Sequence, residues 1–194
     1  MHAALPTLVA GLWVLWGAFW LISAWGTKPV LRGEGRLASL LHIGPAALAA
    51  WLLIGPVPAW LDGRFLPPGS WFAWLGLPLL VGGLGWTVWA RRWLGREWSG
   101  RVTLKQDHVL IQGGPYRFTR HPIYSGILAG FAGTVLALGV WRGLAALVLL
   151  AGAFLRKIVA EERLLATRFP DQYARYRAAV PKLLAWPRRR RHPG

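Results

Sequence analysis

The segment Met1–Thr27, MHAALPTLVAGLWVLWGAFWLISAWGT, runs for 27 residues without a single Asp, Glu, Lys or Arg. A helix needs roughly 20 apolar residues to cross about 30 Å of hydrocarbon, so this stretch reads as a membrane span. Three more uncharged runs are of the same kind: Leu37–Leu61, Phe65–Ala90 and His121–Trp141, with 25, 26 and 21 residues. A fifth, Gly143–Leu155, has only 13 residues and crosses only if its helix continues through Arg156, Lys157, Glu161 and Glu162. None of these runs alternates apolar and polar positions as a membrane β-strand does. The first run lacks the charged start and the small-residue cleavage site of a secretory signal, so it reads as a retained span. The expected fold is all-α and integral to a membrane, with five transmembrane helices. Helices four and five are expected to form a hairpin, turned at Trp141, Arg142 and Gly143, and an amphipathic cytoplasmic segment follows.

Working outward, the charge distribution orients these spans. Of 23 Lys and Arg, 21 fall in segments 26–37, 91–120 and 156–194, leaving only Arg64 and Arg142 elsewhere. Basic connectors stay in the cytoplasm, which puts the N-terminus outside and the C-terminus inside the cell inner membrane. The net charge of +16 then follows from topology and calls for no nucleic-acid partner. Ten of the 14 Trp residues, Trp13 to Trp89, are spread through the first three spans, where most are read as interfacial or lipid-facing. With no Cys, a disulfide scaffold, a thiolate metal site and a Cys nucleophile are excluded. No His pairs with carboxylates at metal-ligand spacing, so no metal is expected. The chain reads as one membrane domain, residues 1–194: three spans in 1–92, a functional core in 93–187 and a basic tail in 188–194.

The chemistry sits in the core. Gly113-Gly114-Pro115 is a turn signal, and Arg120-His121-Pro122 opens the fourth span. Pro suits the first position of a helix, where a missing N–H costs nothing. The positive end of that helix, beside Arg120 and His121, is suited to a carboxylate or phosphate. The hairpin would bring the His121–Tyr124 segment close to Lys157 and Glu161. The latter two are four residues apart and share a helix face. Ionisable groups at membrane depth generally face a protein cavity. After Glu162, Leu164, Leu165, Phe169, Tyr173, Tyr176 and Val180 recur at three- and four-residue intervals, giving an amphipathic helix interrupted near Pro170 and bearing basic residues opposite.

GGPYRFTRHPIYSG (113–126) followed by EERLLATRFPDQYARYRAAVPKLL (161–184) resembles the isoprenylcysteine carboxyl methyltransferase family, one of a wider group of small membrane methyltransferases that includes phospholipid N-methyltransferases. The resemblance covers roughly residues 93–187. It implies S-adenosylmethionine as methyl donor, bound at the cytoplasmic face under the amphipathic segment. Carried over by position, the donor contacts are His108, Val109, Leu110, Ile111, Tyr116, His121, Pro122, Ile123, Tyr124 and Glu161. The residue chemistry agrees: Glu161 suits the donor's ammonium, Arg120 or the fourth helix's N-terminus its carboxylate, and Tyr116 and Tyr124 its adenine or sulfonium. No GxGxxG fingerprint of a soluble nucleotide fold occurs.

The family's prenylcysteine enzymes hold the acceptor carboxylate with an Arg four residues before the matching Glu. Here that position is Lys157, with Arg156 adjacent, a point charge in place of a bidentate fork. The acceptor is therefore open: a lipophilic small molecule or a lipidated group, carrying a carboxylate, thiol or amine, drawn laterally from the membrane lipids. A thiol or amine would need a base, for which His121 and Glu162 are the candidates. A nicotinamide-dependent membrane reductase of the sterol type and a non-catalytic membrane protein are the rival readings.

Overall fold

A computed structural model describes residues 4–25, 30–33, 36–67, 71–95, 98, 103–105 and 109–183. Six α-helices carry it: α1 (Ala4–Ser23), α2 (Arg36–Ile54), α3 (Phe72–Leu94), α4 (Pro122–Leu138), α5 (Trp141–Arg168) and α6 (Pro170–Ala179). Among the described residues α1, α3 and α5 are long and apolar enough to cross a membrane; α4 and the Ile43–Leu53 part of α2 are shorter apolar helices. Large side chains such as Val14, Leu15, Leu21 and Ile22 are exposed on α1, as expected of helices whose solvent is lipid.

The all-helical expectation needs one amendment. A short antiparallel ribbon pairs β1 (Val30–Gly33) with β2 (Thr103–Lys105), in the register Val30↔Lys105, Arg32↔Leu104 and Gly33↔Thr103. These strands belong to the connectors that follow α1 and α3. Their backbone N–H and C=O groups satisfy one another where no helix is available to do so. The ribbon thereby brings those two connectors to the same end of the bundle.

The turn between α4 and α5 also lies earlier than expected. Gly139, in the left-handed region at φ 64°, ends α4 by donating its N–H to Val135 O, and extended Val140 leads into α5. Trp141, Arg142 and Gly143 are already helical. Only glycine adopts that φ without cost, which is why the turn falls at 139. The loop before α3 is tied to this turn. Phe65 N–H donates to Gly139 O at 2.9 Å, Trp141 N–H to Gly63 O at 3.0 Å, and Arg142 pairs with Asp62 at 3.0 Å.

Packing explains the order of the helices. α3 and α4 meet through small residues, Gly76, Gly83 and Thr87 against Gly126, Gly130, Gly133 and Ala137. A Cβ at Gly83 would lie 2.6 Å from both Gly126 O and Gly130 N, and one at Gly126 2.7 Å from Gly83 O. Between helices in lipid there is little hydrophobic drive, so close backbone approach and dispersion do the holding. α5 packs mainly on α2, with Ala49, Leu53, Phe131, Ala146, Leu150 and Phe154 forming a buried cluster. Trp13 and Trp16 depart from the anchor role expected of the indoles. Their N–H groups donate to Thr134 Oγ1 at 3.0 Å and Thr87 Oγ1 at 2.6 Å, fastening α1 to α4 and α3. Trp25, Trp60, Trp71 and Trp74 remain exposed.

Candidate functional site

The site candidates gather where α4 begins and α5 leaves its apolar stretch. A 3-10 turn, Gly114–Arg117, precedes α4. Gly114 has φ 58°, and a Cβ at its neighbour Gly113 would lie 3.2 Å from Trp93. The turn is thus pressed onto the end of α3, and Tyr116 is buried. Pro122 occupies the first turn of α4, as expected, with His121 as the residue before the helix.

His121, 7% exposed, stands between two consecutive carboxylates of α5. Its Nε2 is 3.2 Å from Glu162 Oε1 and its Nδ1 3.6 Å from Glu161 Oε2. The two carboxylates differ sharply in their partners. Glu162 receives Arg120 at 2.9 Å through Nε and 2.8 Å through Nη2, with Lys182 Nζ at 3.8 Å. Glu161 accepts a 2.6 Å hydrogen bond from Tyr124 O–H. Among the described residues no Lys or Arg forms an ion pair with Glu161.

Arg120 is consumed inside the fold. Beyond Glu162, its Nη1 donates to Val180 O at 2.5 Å and Arg177 O at 3.1 Å. Backbone bonds run alongside: Arg120 N–H to Pro181 O at 2.9 Å, His121 N–H to Lys182 O at 3.2 Å, and Thr119 O–H to Lys182 O at 2.9 Å. Arg120 therefore closes the C-terminus of α6, where orphan carbonyls and the helix dipole both favour a cation. This is a different employment from the ligand-carboxylate role that its sequence position suggested.

The break at Phe169 and the start of α6 at Pro170 fall where the sequence placed them. Tyr173, Tyr176 and Val180 are buried, packed with Leu110, Leu165 and Phe169. Tyr176 O–H donates to Tyr116 O at 2.6 Å, joining α6 to the 3-10 turn. Burial raises the phenols of Tyr116, Tyr173 and Tyr176 well above their ordinary range, so all three stay neutral; Glu161 reinforces the shift at Tyr116 and Glu162 that at Tyr173.

The remaining candidates divide. Lys157 Nζ lies 5.6 Å above the Tyr124 ring, which itself stacks on His121 with ring centres 5.7 Å apart. Ile123 follows Pro122 in the first turn of α4. Leu110 reaches the α6 cluster, whereas Val109 is 57% exposed and Ile111 partly exposed. Arg156 is exposed and forms no ion pair with either carboxylate among the described residues. His108 lies outside the described residues, as does the basic tail. Sequence reasoning placed Tyr176 on the amphipathic face without a bond of its own and did not single out Arg91. Arg91 continues the inward spacing of Gly76, Leu80, Gly83 and Thr87 on α3, and that periodicity was the available signal.

Comparison with known proteins bears on this region. The phospholipid methyltransferase family pattern matches residues 71–172, just over half of the chain, from the start of α3 into α6. The chain is 34% identical over 90 residues to the protein-S-isoprenylcysteine O-methyltransferase of Schizosaccharomyces pombe, covering 45% of this chain and 38% of that protein. It is 30% identical over 114 residues to protein-S-isoprenylcysteine O-methyltransferase B of Arabidopsis thaliana, covering 57% and 58%. Over 118 residues it is 34% identical to the cobalt-zinc-cadmium resistance protein CzcN of Cupriavidus metallidurans, covering 58% and 50%. The chain thus spans between 38% and 58% of the length of these relatives.

Proposed function

This chain belongs to the phospholipid methyltransferase family, and we propose that it transfers a methyl group from S-adenosylmethionine to a membrane-partitioned acceptor bearing an acidic group. In this reading five helices span the inner membrane, with the N-terminus outside and the site at the cytoplasmic end. The 21-to-2 division of basic residues supports that orientation. So does the β1–β2 ribbon, which joins two connectors that the charge rule assigns to the same side.

The observation that carries the proposal is the state of Glu161. Its carboxylate, 23% exposed, is oriented by Tyr124 and faced by His121, with no Lys or Arg paired to it among the described residues. A carboxylate so placed fits the ammonium of an amino-acid ligand, and the rings of Tyr116 and Tyr124 fit an aromatic base or a sulfonium. The bound donor supplies a methyl carbon already activated by its positive sulfur. Glu161 then holds and orients, and the helices exclude water around the reacting atoms. In the transfer the methyl–sulfur bond breaks, its electron pair stays on sulfur as a neutral thioether, and a lone pair of the acceptor forms the new bond. A carboxylate acceptor releases no proton, so no base is required. Lys157, over the Tyr124 ring one helical turn from Glu161, supplies the cation that attracts such an acceptor.

A second reading rests on His121. With Nε2 held by Glu162, its Nδ1 faces Glu161, a position from which it can take a proton from an amine or thiol acceptor. Titration of the purified protein with S-adenosylhomocysteine and with NADPH separates methyltransferase from reductase: binding of the first alone is expected, and binding of NADPH alone overturns the reading. The acceptor is then decided by Lys157→Ala. With an anionic acceptor the acceptor KM should rise about tenfold at unchanged donor affinity. Wild-type kinetics would shift the reading to a neutral acceptor and to His121.

A further inference from the structure

Arg91 presents the reverse of the situation at Glu161. It lies in the last turn of α3 and is 5% exposed, while its neighbour Arg92 is exposed. Its Nη1 donates to Gly95 O at 2.7 Å, its Nη2 to Ser23 O, and its guanidinium lies 4.7 Å from the Trp98 ring centre. Those partners are two backbone carbonyls and an aromatic face. No carboxylate pairs with it among the described residues, and its Nε is buried without any hydrogen-bond partner. A buried unit charge met only by dipoles is costly unless an anion completes it.

The helix register shows what Arg91 faces. Gly83 lies against Gly126 and Gly130, and Thr87 against Gly126. One further turn along each antiparallel helix brings Arg91 level with Pro122, the first residue of α4. There the positive end of the helix adds to the guanidinium charge. The buried Tyr116 phenol senses both Arg91 and Glu161, so it lies within the fields of a carboxylate that no Lys or Arg pairs with and a guanidinium that no carboxylate pairs with among the described residues. Two opposite charges that act on one side chain, neither answered by a fixed ion of opposite sign such as Lys, Arg, Asp or Glu among the described residues, are what a zwitterion requires.

We propose that Arg91, together with the first turn of α4, is a carboxylate-binding subsite. The proposal rests on the methyl-transfer reading above. The carboxylate can come from the amino-acid part of the methyl donor or from an acidic acceptor, and the test distinguishes the two.

The test uses the full chain in lipid nanodiscs, with calorimetric titration of S-adenosylhomocysteine and of its decarboxylated analogue. Wild-type protein should bind the carboxylate-bearing compound at least tenfold more tightly. R91Q should lose that preference, and R91K, which keeps the charge but not the planar fork, should retain part of it. S-adenosylhomocysteine should also raise the unfolding midpoint of the wild type more than the analogue does, a difference absent in R91Q. If both proteins bind the two compounds equally well, the acceptor is the source: the KM of N-acetyl-S-farnesylcysteine should then rise tenfold in R91Q. Unchanged donor preference together with unchanged acceptor KM in folded R91Q overturns the proposal and leaves Arg91 as a cap on α1. If R91Q does not fold, the wild-type preference and R91K still decide. Wild-type protein that binds neither compound overturns the methyl-transfer reading itself, an outcome distinct from failure of the Arg91 subsite.

Discussion

Glu161 and Glu162 are neighbours in sequence, yet they sit in two regions built on opposite principles. Around Glu162 every charge is answered. Arg120 meets it through two nitrogens, His121 and Lys182 add to it, and Arg120 also bonds two carbonyls at the end of α6. Around Glu161 the partners are a phenol and one side of an imidazole, and the buried Arg91 pairs with no acid among the described residues. A buried charge whose partners lie within the chain stabilises the chain, whereas one left open stores interaction energy for a ligand. The difference assigns structure to one carboxylate and recognition to the other.

The largest effect should come from the closed side. Glu162→Ala leaves the side chain of Arg120, 7% exposed in the native pair, without its acid. Breaking a buried pair in this way costs about 3–5 kcal/mol, enough to lower the thermal midpoint strongly and to loosen residues 170–183 toward protease. A variant as stable as wild type would erase the distinction between the two regions.

On the open side the same kind of change should act on binding. Glu161→Gln keeps the shape and the bond from Tyr124, so stability should change little. Affinity for S-adenosylhomocysteine should fall by about 1.5–3 kcal/mol, the worth of a hydrogen bond to a charged group, or roughly ten- to a hundredfold. Calorimetry alongside the unfolding midpoint reads both quantities, and a loss of stability without a loss of affinity would exchange the roles of the two carboxylates.

The smallest effect sharpens the comparison. Tyr124→Phe removes the 2.6 Å bond to Glu161 but keeps the ring that stacks on His121. A bond to a charged group contributes about 1.5–3 kcal/mol, but the Tyr124 hydroxyl acts on the ligand only through the orientation of Glu161, so donor affinity should fall by no more than about tenfold. In the Glu161→Gln background the substitution should add less than it does alone, because the two residues act through one contact. Full additivity in that double-mutant cycle would mean that Tyr124 meets the ligand independently.

The runs without charge were sufficient to predict a helical membrane protein, because a missing charge over a span's length has few other physical meanings. Pro122 at the start of α4 and the break before Pro170 were equally legible, since proline acts on the backbone locally. Grouping of His121, Tyr124 and Glu161 could be anticipated from adjacent helices. The turn at Gly139 was placed too late because apolar content does not mark where a backbone reverses. The β1–β2 ribbon pairs residues some seventy positions apart, and nothing local in either segment announces it.

What sequence alone determined was therefore the solvent of the helices, their polarity pattern and the residue types available for chemistry. These depend on composition within one helix length. What only the tertiary structure decided was which charge answers which. Arg120 and Arg91 are indistinguishable as letters, and so are Glu161 and Glu162. Helix phase, the glycine-lined approach of α3 to α4 and the return of α6 over the start of α4 set distances of a few ångströms. Electrostatic partnership in a low-dielectric interior is decided at that scale.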